Sequence, residues 1–317
     1  MAEYEIILTA KQAEDRSKWL EFRKEGIGGS DAAAIVGLSK WKSPYQLWLE
    51  KTGQVEAEDI SDKEVVYWGT QLEDMVAKEF CKQTGKKVKK QGLYRSKETP
   101  FALASVDRMI VGEQAGLECK TTSAYGIKEW EGDNIPDAYY VQCQHYMMVT
   151  GLPKWYIAVL IGGNHFVWKE VPRNEEDIAE LRAAETSFWQ KVLTNTPPAL
   201  DGSDTTTKAL SEKFQGGLEK TELDTETEEA LRRLAEIDEI AKDLEKKANT
   251  LKNRIKNFMG NYEIGIGNNC RVSWKTVAGR KSVDGKLLEK EMPEIYKKYL
   301  KEGKPSRRFT YEFKEAE

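Results

Sequence analysis

The sequence lacks long hydrophobic runs and has few cysteines. No stretch of its 317 residues has the length and apolar character of a membrane span, and residues 1–10 lack the basic start and apolar stretch of a signal peptide. The four cysteines are scattered without a C-x-x-C pair, so neither a disulfide framework nor a zinc or iron–sulfur site is indicated. We therefore expect no membrane association and a reduced, cytoplasmic environment.

The chain also lacks a net basic charge. Its 49 Lys and Arg against 53 Asp and Glu give a net charge of −4, which argues against a surface that is basic all over. The charge is unevenly placed: residues 172–230 carry 14 acidic and 6 basic residues, whereas residues 270–308 carry 12 basic and 5 acidic ones. A mildly acidic protein with basic segments can still bind DNA locally.

Length and composition allow a real core and more than one domain. Hydrophobic residues make up 39% of the chain, and nine of its residues are Trp. Strand and helix patterns alternate up to residue 195, which predicts an α/β fold with a mixed sheet. The stretch rich in Thr, Pro, Asp and Gly beyond that point reads as a linker. The predicted organisation is a domain at 1–195, a linker at 196–223 and an extension at 224–317.

Two extended segments joined by a turn carry the residues most typical of catalysis. Residues 101–110 are rich in apolar side chains, and residues 117–121 form the returning strand after a glycine-containing turn. Because side chains alternate along a strand, Glu118 and Lys120 share a face, and Asp107 can lie opposite them. Burying two carboxylates is costly unless a metal or partner compensates them, and Mg²⁺ prefers carboxylate oxygens. The pattern alone is weak, because a surface hairpin can carry the same residues.

A third acid lies on a predicted helix. A capping box at Ser61 and Glu64 opens this helix, which runs to about Thr84 and stops at Gly85. Glu73 falls on its apolar stripe, where a carboxylate is unusual. Glu73 either lies at the edge of the stripe and reaches water, or joins the carboxylates of the two strands.

A glycine-rich loop at residues 26–31 precedes another apolar helix. Ser30 and Asp31 can cap that helix, so its first N–H groups could hold a phosphate, with Arg23 as a charged partner. The simpler interpretation is an ordinary capped helix after a flexible turn, and the local sequence favours it.

Two further helices are predicted. Pro136 opens a helix over 137–150, on which Gln142 and Tyr146 are four residues apart and share a face. A longer helix over 225–259 has apolar residues at heptad-like spacing, which predicts packing on another helix or on a neighbouring subunit. A small α+β region follows, with a hairpin over 262–276, a helix over 286–300 and a strand over 307–313.

Five motifs occur in one order along the first 195 residues. They are G-I-G-G-S-D-A-A-A-I at 26–35, W-G-T-Q-L-E-D at 68–74, A-S-V-D at 104–107, L-E-C-K at 117–120 and Y-Y-V-Q-C-Q-H-Y-M at 139–147. Together they resemble the YqaJ-type viral recombinase family, the phage-lambda-exonuclease-like branch of the PD-(D/E)xK nucleases. The order of five motifs is much more specific than any single motif. The resemblance covers roughly residues 15–195, and the 224–317 region resembles the extension of longer members.

The resemblance implies a restriction-endonuclease-like core, a central mixed β-sheet flanked by helices, with a long helix and a small α+β extension after it. Asp107 and Glu118 would bind Mg²⁺, or alternatively Mn²⁺, as two ions, together with the backbone carbonyl of Cys119. Glu73 would complete the site directly or through water. Lys120 would orient the attacking water or stabilise charge that develops on the phosphorus centre.

The remaining matched positions brace the site or hold DNA. Gln142 and Tyr146 match the Q-x-x-x-Y helix of the family, which braces the site. The positions that match a pocket for the DNA 5′ phosphate are Arg23, Ser30 and Gln144. One departure is visible: many members have Asp-Gly where this chain has Asp107-Arg108. Arg108 would either reach a DNA phosphate or only be exposed.

The implied activity is metal-dependent hydrolysis of DNA phosphodiesters, with 5′→3′ resection of double-stranded ends. The 3′ overhang would suit a single-strand annealing partner in phage-type recombination in a bacterial host, and a homo-oligomer is a further partner that stays open. Two alternatives stay open: a restriction-type endonuclease, and a non-catalytic DNA-binding or assembly module. The presence of all the catalytic residue types speaks against the module. The choice between exonuclease and endonuclease depends on the shape of the DNA channel.

Overall fold

The structure is a computed structural model that describes residues 3–217, 220–301, 303 and 307–313. These residues fall into two units, one ending at Gln215 and the other beginning at Gly216. Within the described residues, every helix is too short or too polar to span a lipid bilayer.

The first unit contains two sheets and eight α-helices among its described residues. The helices are α1 (Ala10–Ala13), α2 (Arg16–Lys24), α3 (Gly29–Ile35), α4 (Pro44–Lys51), α5 (Glu64–Thr84), α6 (Asp137–Thr150), α7 (Glu175–Leu193) and α8 (Asp204–Lys213). The strands are β1 (Tyr4–Leu8), β2 (Val88–Lys90), β3 (Leu93–Ser96), β4 (Leu103–Ser105), β5 (Arg108–Ile110), β6 (Ala115–Thr122), β7 (Lys154–Ile161) and β8 (His165–Pro172). A short 3-10 helix, Ala124–Trp130, follows β6.

The larger sheet is mixed, as the sequence predicts. Its strand order is β2-β5-β6-β7-β8, with β6 and β7 parallel and the other neighbours antiparallel. The parallel pair places Glu118 opposite Ile157 at the centre of the sheet. Helix α6 connects these two parallel strands, so the strand that carries Glu118 leads through α6 into the strand beside it.

The smaller sheet corrects one sequence-based prediction. Residues 101–110 were expected to form a single extended segment, but β4 pairs with β3 in the order β1-β3-β4, whereas β5 pairs with β2 and β6. The chain changes sheets at Val106 and Asp107. This change places Asp107 at the open end of β5, where its side chain, rather than its backbone, bonds to β6.

Helix α5 carries Glu73 past the face of the larger sheet. Gly85 ends the helix with φ of 72°, as predicted, but Lys63 is the N-cap and the predicted capping box does not form. Val76, Ala77 and Phe80 pack against β6 and β7. Because that apolar contact fixes the helix, Glu73 is held near the sheet one turn earlier.

Helix α6 has the predicted bounds and lies in the core. Its second half is buried from Gln142 to Thr150, and Met147 and Val149 belong to the main cluster of buried residues. Helix α3 lies against it so closely that a Cβ on Gly29 would be 2.7 Å from the Tyr146 ring. Glycine at this position is therefore a packing requirement between the two helices.

The predicted linker contains structure. Helix α8 packs on α4, because Thr206 Oγ1 donates to Ser43 Oγ at 2.7 Å and Ala209 joins a buried cluster with Trp48. The first unit therefore ends at Gln215 and not at residue 195. The linker prediction failed here because Thr, Ser and Asp can cap a helix as readily as they fill a loop.

The second unit contains α9 (Thr225–Met259), which has the predicted bounds, and a short hairpin of β9 (Ile264–Ile266) and β10 (Arg271–Ser273). The helix predicted over 286–300 is divided into α10 (Gly285–Glu291) and α11 (Pro293–Tyr299), with Pro293 in the first turn of the second piece. The strand predicted over 307–313 does not form.

Candidate active site

The two carboxylates from the strands meet at the end of β5. Asp107 Oδ2 accepts a hydrogen bond from the backbone N of Cys119 at 2.8 Å. Glu118 is only 3% exposed, and its Oε1 lies 2.6 Å from Lys120 Nζ and 2.7 Å from Gln142 Nε2. Glu118 Oε2 is buried without a hydrogen-bond partner. The site therefore holds a buried carboxylate oxygen that is available for a ligand.

Keeping the carboxylates of this cluster ionised costs free energy when no counter-ion is bound. Burial and the nearby charges of Glu118 and Glu73 raise the pKa of Asp107 well above its ordinary value. Burial opposes the charge of Lys120, but the attraction of Glu118 and Asp107 outweighs it and raises the lysine pKa. Lys120 therefore stays protonated near neutral pH in the metal-free protein.

Gln142 and Tyr146 brace the carboxylate and lysine from α6. Gln142 Nε2 donates to Glu118 and also to Tyr146 Oη at 2.8 Å, while its Oε1 accepts from Lys120 at 3.0 Å. Tyr139 adds its ring, with Lys120 Nζ 4.8 Å from the ring centre. Tyr139 was not predicted, although it lies one helical turn before Gln142 on the same face.

Glu73 reaches the site together with Arg108. Arg108 is 4% exposed, and its Nη1 donates to Glu73 Oε1 and, at 2.7 Å, to the Asp107 carbonyl oxygen. Its Nη2 donates to Asp74. The prediction that Arg108 is exposed or reaches DNA is therefore wrong: the guanidinium is buried between carboxylates. It turns inward because the acids of α5 compensate its charge.

An open groove joins these side chains. Its volume is about 370 Å³, and Glu73, Asp107, Glu118 and Lys120 all line it. The other lining residues, which except for Cys119 were not predicted, are Val65, Val66, Gly69, Thr70, Cys119, Thr121 and Tyr139. The groove brings five of the predicted site residues together in the first unit.

The donors fit Mg²⁺ with water ligands. Within the described residues, no three Asp, Glu, His or Cys side chains are arranged as a metal site of side chains alone. Asp107 and Glu118 offer two carboxylates, and the carbonyl of Cys119 leaves β6 by the same edge as its N–H, toward Asp107. Mg²⁺ commonly keeps several waters, and one or two carboxylates suffice. With Oε1 bound to Arg108, Glu73 is suited to act through water.

The predicted phosphate-binding set is only partly assembled. Arg23 Nη2 lies 3.3 Å from Ser30 Oγ, but it also forms an ion pair with buried Asp31 at 2.9 Å. Lys51 Nζ lies 3.0 Å from the same carboxylate, so two cations surround one acid. The N-cap of α3 is Gly28, and not Ser30 or Asp31 as predicted.

Gln144 is not part of that set. Its Nε2 donates to the Pro172 carbonyl oxygen at 2.9 Å, and its Oε1 accepts from the backbone N of Asn174 at 3.1 Å. The side chain is buried at the end of β8. The family resemblance placed Gln144 in the phosphate-binding set, but on α6 it lies about 200° around the helix from Gln142, which braces Glu118.

Known proteins resemble this chain in sequence and in fold. A family model described as the YqaJ-like viral recombinase domain matches residues 18–153. The Bacillus subtilis (strain 168) protein named uncharacterized protein YqaJ is 45% identical over 309 residues, which are 93% of this chain and 96% of that protein.

Two crystal structures of one enzyme are similar to this chain. The alkaline exonuclease LHK-Exo of Laribacter hongkongensis superposes with a TM-score of 0.50 at 17% identity, covering 57% of this chain and 94% of the enzyme. The same enzyme in complex with dAMP gives a TM-score of 0.48 at 18% identity, with the same shares of the two chains. The similarity to the first of these structures, at this low sequence identity, establishes a shared nuclease fold and nothing more specific.

Proposed function

The chain belongs to the YqaJ-like viral recombinase family, and from this premise we propose that it is a metal-dependent DNA exonuclease. Its substrate is the end of double-stranded DNA, which it resects in the 5′→3′ direction. The observation that carries the proposal is the groove in which Glu73, Asp107, Glu118 and Lys120 converge beside an unpartnered carboxylate oxygen. The 3′ overhang left by resection suits a single-strand annealing protein as partner.

Each residue of the site has a separate role in the proposed reaction. Asp107, Glu118 and the Cys119 carbonyl hold the metal, and the hydrogen bond from Gln142 fixes the orientation of the Glu118 carboxylate. Bound Mg²⁺ supplies a Lewis acid for the phosphate oxygen and a water of lowered pKa. Protonated Lys120 stabilises the negative charge that develops on the phosphate, because a fixed cation in a partly buried site needs little reorganisation.

The decisive experiment compares linear and closed circular duplex DNA. We expect digestion of the linear DNA in Mg²⁺, protection of the circle, and no digestion in excess chelator. A duplex labelled at one 5′ end should release its label as mononucleotide early. Digestion of the circle would establish the restriction-type endonuclease instead, and DNA binding without any cleavage would establish the non-catalytic module.

Asp107→Ala and Glu118→Ala provide the control for the metal site. Each removes one ligand, so each should abolish digestion while the far-UV circular dichroism spectrum stays that of the parent. Digestion at the parental rate by either variant would show that these carboxylates do not hold the metal.

A further inference from the structure

Arg108 connects two groups of the site that come from different elements. One nitrogen of its guanidinium donates both to Glu73 on α5 and to the carbonyl oxygen of Asp107, and the other donates to Asp74. Arg108 itself lies at the start of β5, where the chain enters the larger sheet. Its guanidinium is therefore the direct link between the α5 acid and the backbone of the strand acid.

The burial of these partners is unequal. The Arg108 side chain is 4% exposed, whereas the side chains of Glu73 and Asp74 are 29% and 56% exposed. A buried cation must be paired, and a planar guanidinium can bind two carboxylates at once, which a lysine ammonium does less well. Lys90 also reaches Asp74, at 3.5 Å, but its side chain is more than half exposed. Of these two cations, Arg108 and not Lys90 pairs with Glu73, and it does so from the buried side.

We propose that Arg108 is a positioning residue that acts through Glu73, holding this carboxylate so that it meets the bound metal through water. The guanidinium occupies Glu73 Oε1, and Oε2 would then be the oxygen that accepts a hydrogen bond from a water ligand of the metal. It also fixes the Asp107 carbonyl, and so limits the movement of the backbone at the sheet change. This inference rests on the proposed function, because it concerns the metal of that same site.

The first test measures metal binding without DNA. Mn²⁺ binding to the full chain is followed by isothermal titration calorimetry for the parent, Arg108→Ala and Arg108→Lys. We expect Arg108→Ala to weaken Mn²⁺ binding about tenfold, the usual size of the effect when a partner of a metal-binding group is lost. The Mn²⁺ affinity of Arg108→Lys should lie between those of the parent and Arg108→Ala, because lysine keeps the positive charge but not the planar guanidinium that binds two carboxylates. It also preserves the test if the alanine variant folds poorly.

Arg173→Ala is the matched control. Arg173 is also a largely buried arginine of the first unit, with a side chain 16% exposed, and it likewise bonds a backbone carbonyl, that of Met147, and a carboxylate, that of Glu175. Neither partner lines the groove. We expect its loss to lower thermal stability while Mn²⁺ affinity remains parental. An equal loss of Mn²⁺ affinity in both arginine variants would reduce the role of Arg108 to general stability and overturn the proposal.

A double-mutant cycle with Glu73→Ala tests the route of the effect. If Arg108 acts through Glu73, its removal changes Mn²⁺ affinity in the parent but not in the Glu73→Ala background. Additive effects, parental affinity in Arg108→Ala, or tighter binding in that variant would each overturn the inference. A parent protein that binds Mn²⁺ but fails to digest DNA would contradict the proposed function and leave the role of Arg108 untouched. Failure of the proposed function and failure of this inference are therefore distinguishable.

Discussion

At the scale of single residues, the site depends on the difference between the two oxygens of Glu118. Oε1 receives hydrogen bonds from Lys120 and Gln142, whereas Oε2 is buried without a partner. A buried acceptor without a partner costs about 1–3 kcal/mol, and more if it is charged. A metal ion bound at Oε2, as we propose, would offset that cost, so the feature that is costly in the metal-free protein would favour metal binding.

Lys120 provides a prediction at this scale. Lys120→Ala should keep DNA affinity and lower kcat by at least about 10²-fold, because it removes a fixed charge that stabilises the transition state. Single-turnover digestion of an end-labelled duplex measures the rate, and fluorescence anisotropy in Ca²⁺ measures binding. Turnover at the parental rate in Lys120→Met would show that the lysine has only a structural role.

Lys154 is a close control for that experiment. Its ammonium lies 2.7 Å from Glu113 and 5.4 Å from the centre of the Tyr156 ring, much as Lys120 lies beside Glu118 and Tyr139. It lies outside the groove. Lys154→Ala should therefore retain the parental rate, and a similar loss in both variants would point to general destabilisation.

At the scale of elements, α6 is fixed by a buried ion pair as well as by apolar packing. His145 Nδ1 lies 2.7 Å from Glu185 Oε1 on α7, and Nε2 lies 2.9 Å from the carbonyl oxygen of Leu103 on β4. Both ring nitrogens face acceptors, an arrangement that favours the protonated imidazole. The pair therefore ties the helix that braces the site to two other elements.

This pair predicts how stability depends on pH. Burial lowers the pKa of His145, but Glu185 and the Leu103 carbonyl raise it above its ordinary value. A folded pKa above the unfolded one gives stability that is fully present below about pH 6.5 and is lost as pH rises through the folded pKa. We therefore expect the difference in unfolding free energy between the parent and the His145→Gln/Glu185→Gln variant to shrink as the pH rises above about 6.5.

Urea unfolding of metal-free protein at several pH values measures that difference. Asp31 also favours protonated His145, and it is present in both proteins. A stability difference that stays constant between pH 6 and pH 9 would show that His145 is not charged in the folded state.

Helix α9 leads to a second prediction at this scale. Its apolar stripe stays exposed within the described residues, with Ile237, Leu244 and Leu251 each more than half exposed. Leu244 recurs seven residues after Ile237 and seven before Leu251, as in a coiled-coil seam. We predict that Leu234→Ser/Leu244→Ser lowers the mass measured by light scattering, because it removes a contact between copies of the chain.

A substitution on the polar side of α9, Lys246→Ser, is the control and should leave the mass unchanged. An unchanged mass in the double variant together with a lowered melting temperature would instead assign the stripe to contacts within one chain. That outcome would remove the case for self-association through this helix.

At the scale of the whole molecule, every residue of the proposed site belongs to the first unit. The acids, the lysine and the bracing glutamine come from α5, the start of β5, β6 and α6. Arg23 and Ser30, which lie together on α2 and α3, are the remaining candidates for binding a terminal phosphate. Arg23 is paired with Asp31, but Lys51 also pairs with that carboxylate. Arg23, Lys51 and Asp31 together therefore carry one net positive charge.

End recognition is the prediction that belongs to this scale. We expect faster digestion of a duplex with a 5′ phosphate than of the same duplex with a 5′ hydroxyl, because the guanidinium and the Ser30 hydroxyl both favour a phosphate. Arg23→Ala should erase most of this preference. Initial rates on the two duplexes are compared, and equal rates for the parent would contradict a phosphate pocket.

Gln144→Ala distinguishes the sequence-based pocket from the structural one. Because the Gln144 amide bonds to the backbone of residues 172 and 174, its loss should lower stability and leave the 5′-phosphate preference intact. Loss of the preference in this variant would restore Gln144 to the phosphate-binding set.

The sequence by itself determined what local periodicity can determine. Strand alternation placed Glu118 and Lys120 on one face, and helical spacing placed Gln142 and Tyr146 together; the structure confirms both contacts. The bounds of α6 and α9 also follow from short-range signals, namely a proline or capping residue at the start and a glycine at the end. Such features depend only on neighbours a few residues away.

Tertiary structure decided where the long polar side chains find their partners. Arg108 is buried because acids 34 and 35 residues away on α5 lie beside it. Gln144 is buried because the backbone 28 and 30 residues ahead offers a carbonyl and an N–H. Neither partner is encoded in the local pattern, since a charged or amide side chain reads as exposed until a compensating group is brought to it. Only the folding of distant segments into contact turns the arginine inward, and so makes it part of the site.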